Sequence, residues 1–222
     1  MNNPYFDLLM WARGPGFDIA LTIMIAGIVL RVVEIWVLGR KKDFSKAKGS
    51  PVGQGIKTIF TRSLPRKGMM KEAPVTYIGG YLFHIGFAVA FLFLGAHIAL
   101  VNDLIGLSWP AANKAIIELA AAVAVIALIA LMWTRLTDPV RRSLSGFDDY
   151  LVWTLSILPL ITGYVAVNKI FGADETLWLA IHILSVEALM VAFPFTKLMH
   201  AVTFAVARYY NGSIQGRKGA ES

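Results

Sequence analysis

Residues 177–208 read LWLAIHILSVEALMVAFPFTKLMHAVTFAVAR, a long apolar run with one histidine in each half. Residues 77–101 read YIGGYLFHIGFAVAFLFLGAHIALV and also hold two histidines. These two runs contain all the histidines of the 222-residue chain: His84, His97, His182 and His200. A membrane-spanning helix needs about 20 apolar residues. Both runs are therefore predicted to cross a membrane, where a histidine is costly and marks a functional site.

The composition indicates an integral membrane protein throughout. Hydrophobic residues make up 57% of the chain and charged residues 16%, and the mean hydropathy is +0.63. A soluble domain carries about 25% charged residues. We predict a single all-α domain over residues 1–222, a bundle of five membrane helices. The predicted spans are residues 17–38, 77–101, 114–133, 150–167 and 177–208.

The chain contains no cysteine. This excludes disulfides, thiolate zinc sites, iron–sulfur clusters held by this chain and covalent CxxCH haem attachment. Any electron carrier must be bound non-covalently, and any iron–sulfur cluster must belong to a partner.

The basic residues are distributed unevenly between the predicted loops. Ten Lys or Arg lie in residues 40–71, and six more lie at 135, 141, 142, 208, 217 and 218. The opposite side has three, Arg13, Lys114 and Lys169. The positive-inside rule then predicts an outer N-terminus and a cytoplasmic C-terminus in the inner (cytoplasmic) membrane. The basic loop 40–71 is explained by topology and attraction to anionic lipid, or by docking of a cytoplasmic partner.

With this orientation, antiparallel spans two and five place their histidines at two levels. His97 is level with His182 on the outer side, and His84 is level with His200 on the inner side. Each level then offers two imidazoles, as a six-coordinate b-type haem requires, and bundle cores commonly hold such cofactors. The histidines therefore predict two stacked haems.

The spacings require bent helices. In span five the two histidines are 18 residues apart, which is five full helical turns and places them on the same face. In span two they are 13 residues apart, which places the second about 140° around the helix from the first. Pro194 lies between the histidines of span five and is predicted to kink it. In span two, Gly86 and Gly95 would let a porphyrin approach the backbone closely.

Three stretches resemble the gamma subunit of respiratory nitrate reductase and the wider family of dihaem membrane cytochromes b. They are residues 82–86 (LFHIG) with 95–97 (GAH), residues 192–200 (AFPFTKLMH), and residues 135–141 (RLTDPVR). The resemblance implies that all four histidines are axial ligands of two haems b, in the pairs His84/His200 and His97/His182. It also implies quinol oxidation near the outer haem, beside Gly95 and His97. The long first cytoplasmic loop suits relatives that anchor heterodisulfide-reductase-like iron–sulfur proteins.

The predicted function is that of a dihaem cytochrome b subunit in a respiratory oxidoreductase complex. It would transfer electrons between membrane quinone or quinol and a cytoplasmic iron–sulfur partner. Two other functions stay open: a proton or ion transporter that uses the histidines as a relay, and a haem-free structural anchor.

Several other charged residues lie in or beside the predicted spans. Arg31 is predicted to pair with Glu34 or with a haem propionate, and Lys197 either to reach the membrane surface or to contact a propionate. A carboxyl group near a quinone could accept the protons of quinol oxidation. The candidates for such a site are Glu187, Glu118, Asp18 and Lys114.

Overall fold

A computed structural model of the chain describes residues 3–39, 44–66, 68–170 and 174–220. Most of the described residues are helical, and none of them forms a strand. The helices in chain order are α1 (Phe6–Trp11), α2 (Phe17–Leu38), α3 (Pro51–Thr61), α4 (Met69–Glu72), α5 (Pro74–Phe93), α6 (Gly95–Ile105), α7 (Lys114–Thr137), α8 (Pro139–Ser143), α9 (Phe147–Asn168), α10 (Glu175–Ala192) and α11 (His200–Lys218).

Five helical segments of the described chain are long and apolar enough to cross a membrane, which confirms the predicted all-α class and the number of spans. They are Phe6–Leu38, Pro74–Phe93, Lys114–Thr137, Phe147–Asn168 and Glu175–Phe195. The protein is thus a multi-pass membrane protein. The first segment includes α1 and the π-helical turn Ala12–Gly16, in which the non-helical Gly14 produces a kink before α2.

The chain divides into two compact units. The first unit holds the chain up to Ile23 and Ala73–Val191. In this unit α5 packs closely along α7, because two glycines of α5 leave room for the neighbouring backbone. A Cβ on Gly86 would lie 2.5 Å from the carbonyl oxygen of Ala120, and one on Gly79 would lie 3.2 Å from Leu131. Small residues permit the same close approach in membrane helix pairs generally.

The second unit holds Met24–Glu72 and the chain from Ala192 onward. Here α3 and α11 run antiparallel and pack against each other. A Cβ on Gly212 would collide with Thr58 of α3, so the two helices approach each other at backbone distance. In the same unit, a Cβ on Gly27 of α2 would collide with the ring of Pro194.

The predicted span over residues 77–101 is divided between two helices. Leu94 adopts an extended backbone (φ −76°, ψ 126°), which ends α5 at Phe93 and lets α6 begin at Gly95. The break therefore lies between His84 and His97. It supplies the bend that the 13-residue spacing requires.

The predicted span over residues 177–208 is likewise divided. Helix α10 ends at Ala192, and two 3₁₀ turns, Phe193–Phe195 and Lys197–Met199, precede α11. Pro194 is in the first turn, and Thr196 between the turns is extended (φ −123°, ψ −179°). The kink predicted at Pro194 is confirmed, but it is a full interruption. His182 and His200 thus lie on different helices, and counting five turns between them does not apply.

Candidate functional site

The break at Leu94 determines the position of His97. It leaves the carbonyl oxygens of residues 91–93 without helical partners, which is costly inside a membrane. The oxygen of Phe91 accepts a hydrogen bond from Nδ1 of His97 at 2.9 Å. The oxygen of Leu92 accepts one from Nε1 of Trp109 at 2.7 Å, and that of Phe93 accepts one from the backbone nitrogen of Ala112 at 3.0 Å. The His97 imidazole is therefore one of three caps on the end of α5.

This cap also fixes the tautomer of His97. A carbonyl oxygen only accepts, so Nδ1 must carry the proton and Nε2 keeps its lone pair. The ring is half-buried and lies 5.3 Å from the ring of Phe91, centroid to centroid. His97 thus presents the nitrogen that a metal would bind while the other nitrogen is held by the backbone, an arrangement common among metal-binding histidines.

His182 of α10 is held by α9. The Thr162 hydroxyl donates its proton to the carbonyl oxygen of Leu158, with 2.7 Å between the two oxygens. Because that proton is used, Oγ1 of Thr162 accepts a hydrogen bond from Nδ1 of His182 at 3.3 Å. Gly163 makes room for the ring, since a Cβ there would lie 2.9 Å from Cε1 of His182. Neither Thr162 nor Gly163 is among the residues predicted from the sequence. A small residue and a hydroxyl in mid-span were the only signals for them.

The structure brings His97 and His182 together within the first unit. Their ring centroids are 6.2 Å apart, and the ring planes differ by 22°. When two imidazoles bind one metal from opposite sides, each metal–nitrogen bond is about 2 Å long. Adding the distance from the nitrogen to the centre of each ring places the two ring centroids roughly 6 Å apart. The separation of this pair and the tautomer of His97 therefore fit two axial ligands of one iron.

His84 and His200 are hydrogen-bonded in the same manner. Nδ1 of His84 donates to the carbonyl oxygen of Gly80 at 2.7 Å, and Nδ1 of His200 donates to that of Lys197 at 2.7 Å. His84 also contacts the ring of Phe83 edge-on at 4.8 Å. Both histidines are exposed, His84 in the first unit and His200 in the second. Nδ1 of each ring therefore carries the proton.

The two glycines predicted to approach a porphyrin differ in their surroundings. Gly86 faces α7, and helix packing accounts for it without a cofactor. Gly95 begins α6, where a Cβ would lie 3.8 Å from Cβ of Ala111. The role of both glycines at a haem stays a prediction.

Arg31 forms the predicted ion pair. Its Nη1 lies 2.9 Å from Oε2 of Glu34, and its Nε donates to the carbonyl oxygen of Pro194 at 3.1 Å. Arg31 thus joins α2 to the interruption that precedes His200. Lys197 is exposed in the second 3₁₀ turn, and its carbonyl group holds the His200 ring.

The predicted quinone-site residues lie in separate places. Lys114 pairs with Glu118 at 3.4 Å at the start of α7, after the loop that caps α5. Glu187 of α10 is only 7% exposed, and its Oε1 has no hydrogen-bond partner among the described residues. This oxygen lies 3.0 Å from where a Cβ on Gly16 would be, beside the ring of Trp11.

Comparison with known proteins finds a relative of this chain. A protein of Nitratidesulfovibrio vulgaris (strain Hildenborough) is 30% identical to the chain over 138 residues, 62% of this chain and 60% of that protein. Its name, "Protein", states no function. The chain thus spans about 60% of the length of the curated relative that it matches. No known protein-family profile matches the chain.

Proposed function

We propose that this protein is a dihaem cytochrome b subunit that transfers electrons between membrane quinone or quinol and a cytoplasmic iron–sulfur partner. One observation carries the proposal: α6 and α10 bring the rings of His97 and His182 to 6.2 Å and within 22° of parallel. Imidazoles that hold their proton on Nδ1 and whose ring centroids lie at that distance are suited to ligate one haem iron. A bound haem b supplies one-electron transfer.

The protein would orient and shield the outer haem through its own side chains. Thr162 and the carbonyl group of Phe91 hold the two imidazoles through Nδ1, which raises the basicity of Nε2. Gly163 keeps the His182 ring close to α9. Two neutral imidazoles in an apolar surrounding would tune the potential of a bound haem through burial rather than through a ligand charge.

His84 and His200 are the proposed ligands of the second, inner haem b. Their support is the shared Nδ1–carbonyl hydrogen bond and the sequence resemblance. Arg31 and Lys197 would lie toward its propionates. The proposed topology has the N-terminus outside and the C-terminus in the cytoplasm of an inner membrane, where the iron–sulfur partner of a respiratory complex would dock.

The proposed quinone site is on the outer side. Gly95 and His97 lie at the break between α5 and α6, and the loop that caps this break leads directly to Lys114. Glu187 lies apart from this break, beside Trp11. Its Oε1 is buried and has no hydrogen-bond partner among the described residues, so it would serve as a proton acceptor. Oxidation of a bound quinol would release two protons and two electrons, and a bound haem b would supply one-electron acceptor chemistry.

Spectroscopy of the purified protein tests the proposal. The reduced-minus-oxidised spectrum should show a b-type α band, and the pyridine haemochrome assay should give about two haems per chain. His97→Ala or His182→Ala should each remove the outer haem, and His84→Ala or His200→Ala the inner one. Less than half a haem per chain in monodisperse protein would refute the proposal, and four single variants that each keep both haems would refute the pairing.

One observation favours a proton relay as a second candidate function. His182, Thr162 and Ser185 form a hydrogen-bonded cluster in mid-span, with 3.1 Å between the two hydroxyl oxygens. Polar chains of this kind carry protons in pumps and transporters. Proton flux into liposomes that hold haem-free protein, abolished by Thr162→Val, would favour the relay over the cytochrome.

A further inference from the structure

Helix α3 is an amphipathic helix between two membrane spans. Ser50 caps its start by accepting a hydrogen bond from the Gly53 amide at 3.1 Å, and Pro51 occupies its first turn. The helix is joined to α2 through residues 39–50 and to α5 through residues 62–73. Connections of 12 residues each tether α3 to within about 40 Å of the two spans, because an extended residue spans at most about 3.6 Å.

One face of α3 is occupied by α11. Gly55 lies against the ring of Tyr209, and Thr58 is 1% exposed against Gly212. At the end of α3, Arg208 donates to the carbonyl oxygen of Ile59 at 3.2 Å. This face has its partner within the second unit.

A neighbouring face of α3 presents an apolar stripe. Val52, Ile56 and Phe60 follow one another at four-residue intervals and are 58%, 50% and 71% exposed. Residues four apart lie on one side of a helix. Three large apolar side chains on successive turns are therefore exposed on the side not covered by α11.

The charge around this stripe has a single sign. Residues 44–66 contain five basic residues, Lys46, Lys48, Lys57, Arg62 and Arg66, and no Asp or Glu. Lys57 and Arg62 belong to α3 and its C-cap, and both are exposed. An apolar stripe with basic flanks complements a surface that is apolar inside and negatively charged outside.

We propose that α3 is an interfacial helix that inserts Val52, Ile56 and Phe60 into the bilayer surface while its basic flanks bind anionic lipid headgroups. Amphipathic helices rich in Lys and Arg bind membranes in this manner. The tether to two spans keeps the helix within reach of such a surface. A protein partner that covers the same stripe is the competing outcome of the experiment.

The cysteine-free chain permits a direct test. Ile56→Cys places one spin label on the stripe of the full-length protein, and Thr61→Cys places a matched control roughly 140° around the same helix. Both are reconstituted into nanodiscs of phosphatidylcholine alone or with phosphatidylglycerol. In the anionic discs, the label at 56 should collide more with dissolved oxygen than with a water-soluble nickel chelate, and the label at 61 should do the reverse.

Two variants separate the apolar and the charged contributions. Phe60→Glu should lift the stripe and expose the label at 56 to the nickel chelate, with the helix content by circular dichroism unchanged. Replacing Lys57 and Arg62 with Gln should lower the ratio of surface-bound to detached helix roughly fivefold for each charge removed.

The outcomes decide the proposal independently of any haem. A label at 56 that stays open to the chelate in both lipid compositions would overturn it. Equal shielding in both compositions would overturn the role of the anionic headgroups. Shielding that arises only when a soluble protein is added would assign the stripe to a protein partner.

Discussion

Replacing Gly163 with alanine should dislodge His182 from its position. The added Cβ would lie 2.9 Å from Cε1 and 3.1 Å from Nδ1 of the ring. Carbon atoms at contact are about 3.5 Å apart, so the ring must move by roughly 0.6 Å. Metal–ligand bonds tolerate about 0.2 Å. The displacement thus exceeds what an axial ligand accommodates.

The expected result is loss or weakening of the outer haem alone. The pyridine haemochrome ratio should fall from about two toward one haem per chain, or the electron paramagnetic resonance spectrum should show one high-spin haem. Overpacking costs about 1–3 kcal/mol, and alanine regains about 1 kcal/mol of helix propensity over glycine. The net loss of stability should therefore be about 0–2 kcal/mol, and the variant should still fold.

Gly80→Ala is the matched control, because a Cβ at Gly80 in α5 meets nothing within 4 Å. It should keep both haems and gain up to about 1 kcal/mol of stability. The reasoning would be refuted if Gly163→Ala kept two low-spin haems with unchanged spectra, or if the two variants behaved alike.

Three further changes test other parts of the structure. Trp109→Phe removes the donor to the carbonyl oxygen of Leu92 and should lower the free energy of unfolding by about 1 kcal/mol, measured by thermal unfolding. Trp133→Phe, at an exposed position, is the control. Equal losses of stability in the two variants would argue against the cap. Gly86→Leu should force α5 and α7 apart and destabilise the protein by about 1–3 kcal/mol or more, whereas unchanged stability would contradict the close packing. The hydrogen bond from the Leu177 amide holds the pKa of Asp174 below its usual value. Its stabilisation is present above the unfolded pKa and is lost as the pH falls through the folded pKa, so below about pH 4 the amides that begin α10 should lose protection from exchange. Asp174→Asn should abolish this dependence, and an unaltered pH profile in that variant would remove Asp174 as its cause.

The sequence predicted the helical class and the five spans because apolar runs of membrane length are a strong signal. It also predicted that His97 and His182 are neighbours, from orientation and depth alone. It did not predict the break at Leu94, since nothing in FLFLGAH distinguishes an interrupted helix from a continuous one. The residues that stabilise the break lie further along the chain. Trp109 and Ala112 donate hydrogen bonds to the carbonyl oxygens that the break leaves without helical partners. Pro194 did mark the other interruption, because proline lacks an amide proton.

The two interruptions have a consequence for how such a chain tolerates insertions and deletions. On a continuous helix, one inserted residue turns everything beyond it by about 100° and shifts it by 1.5 Å. An insertion within α5 would therefore carry a histidine off its face. The extended backbone at Leu94 and at Thr196 is not bound by helical register, so a one-residue change there could be absorbed locally. Relatives of this chain should differ in the spacing between their paired histidines at these two places, and keep the length of the helical segments that flank each one.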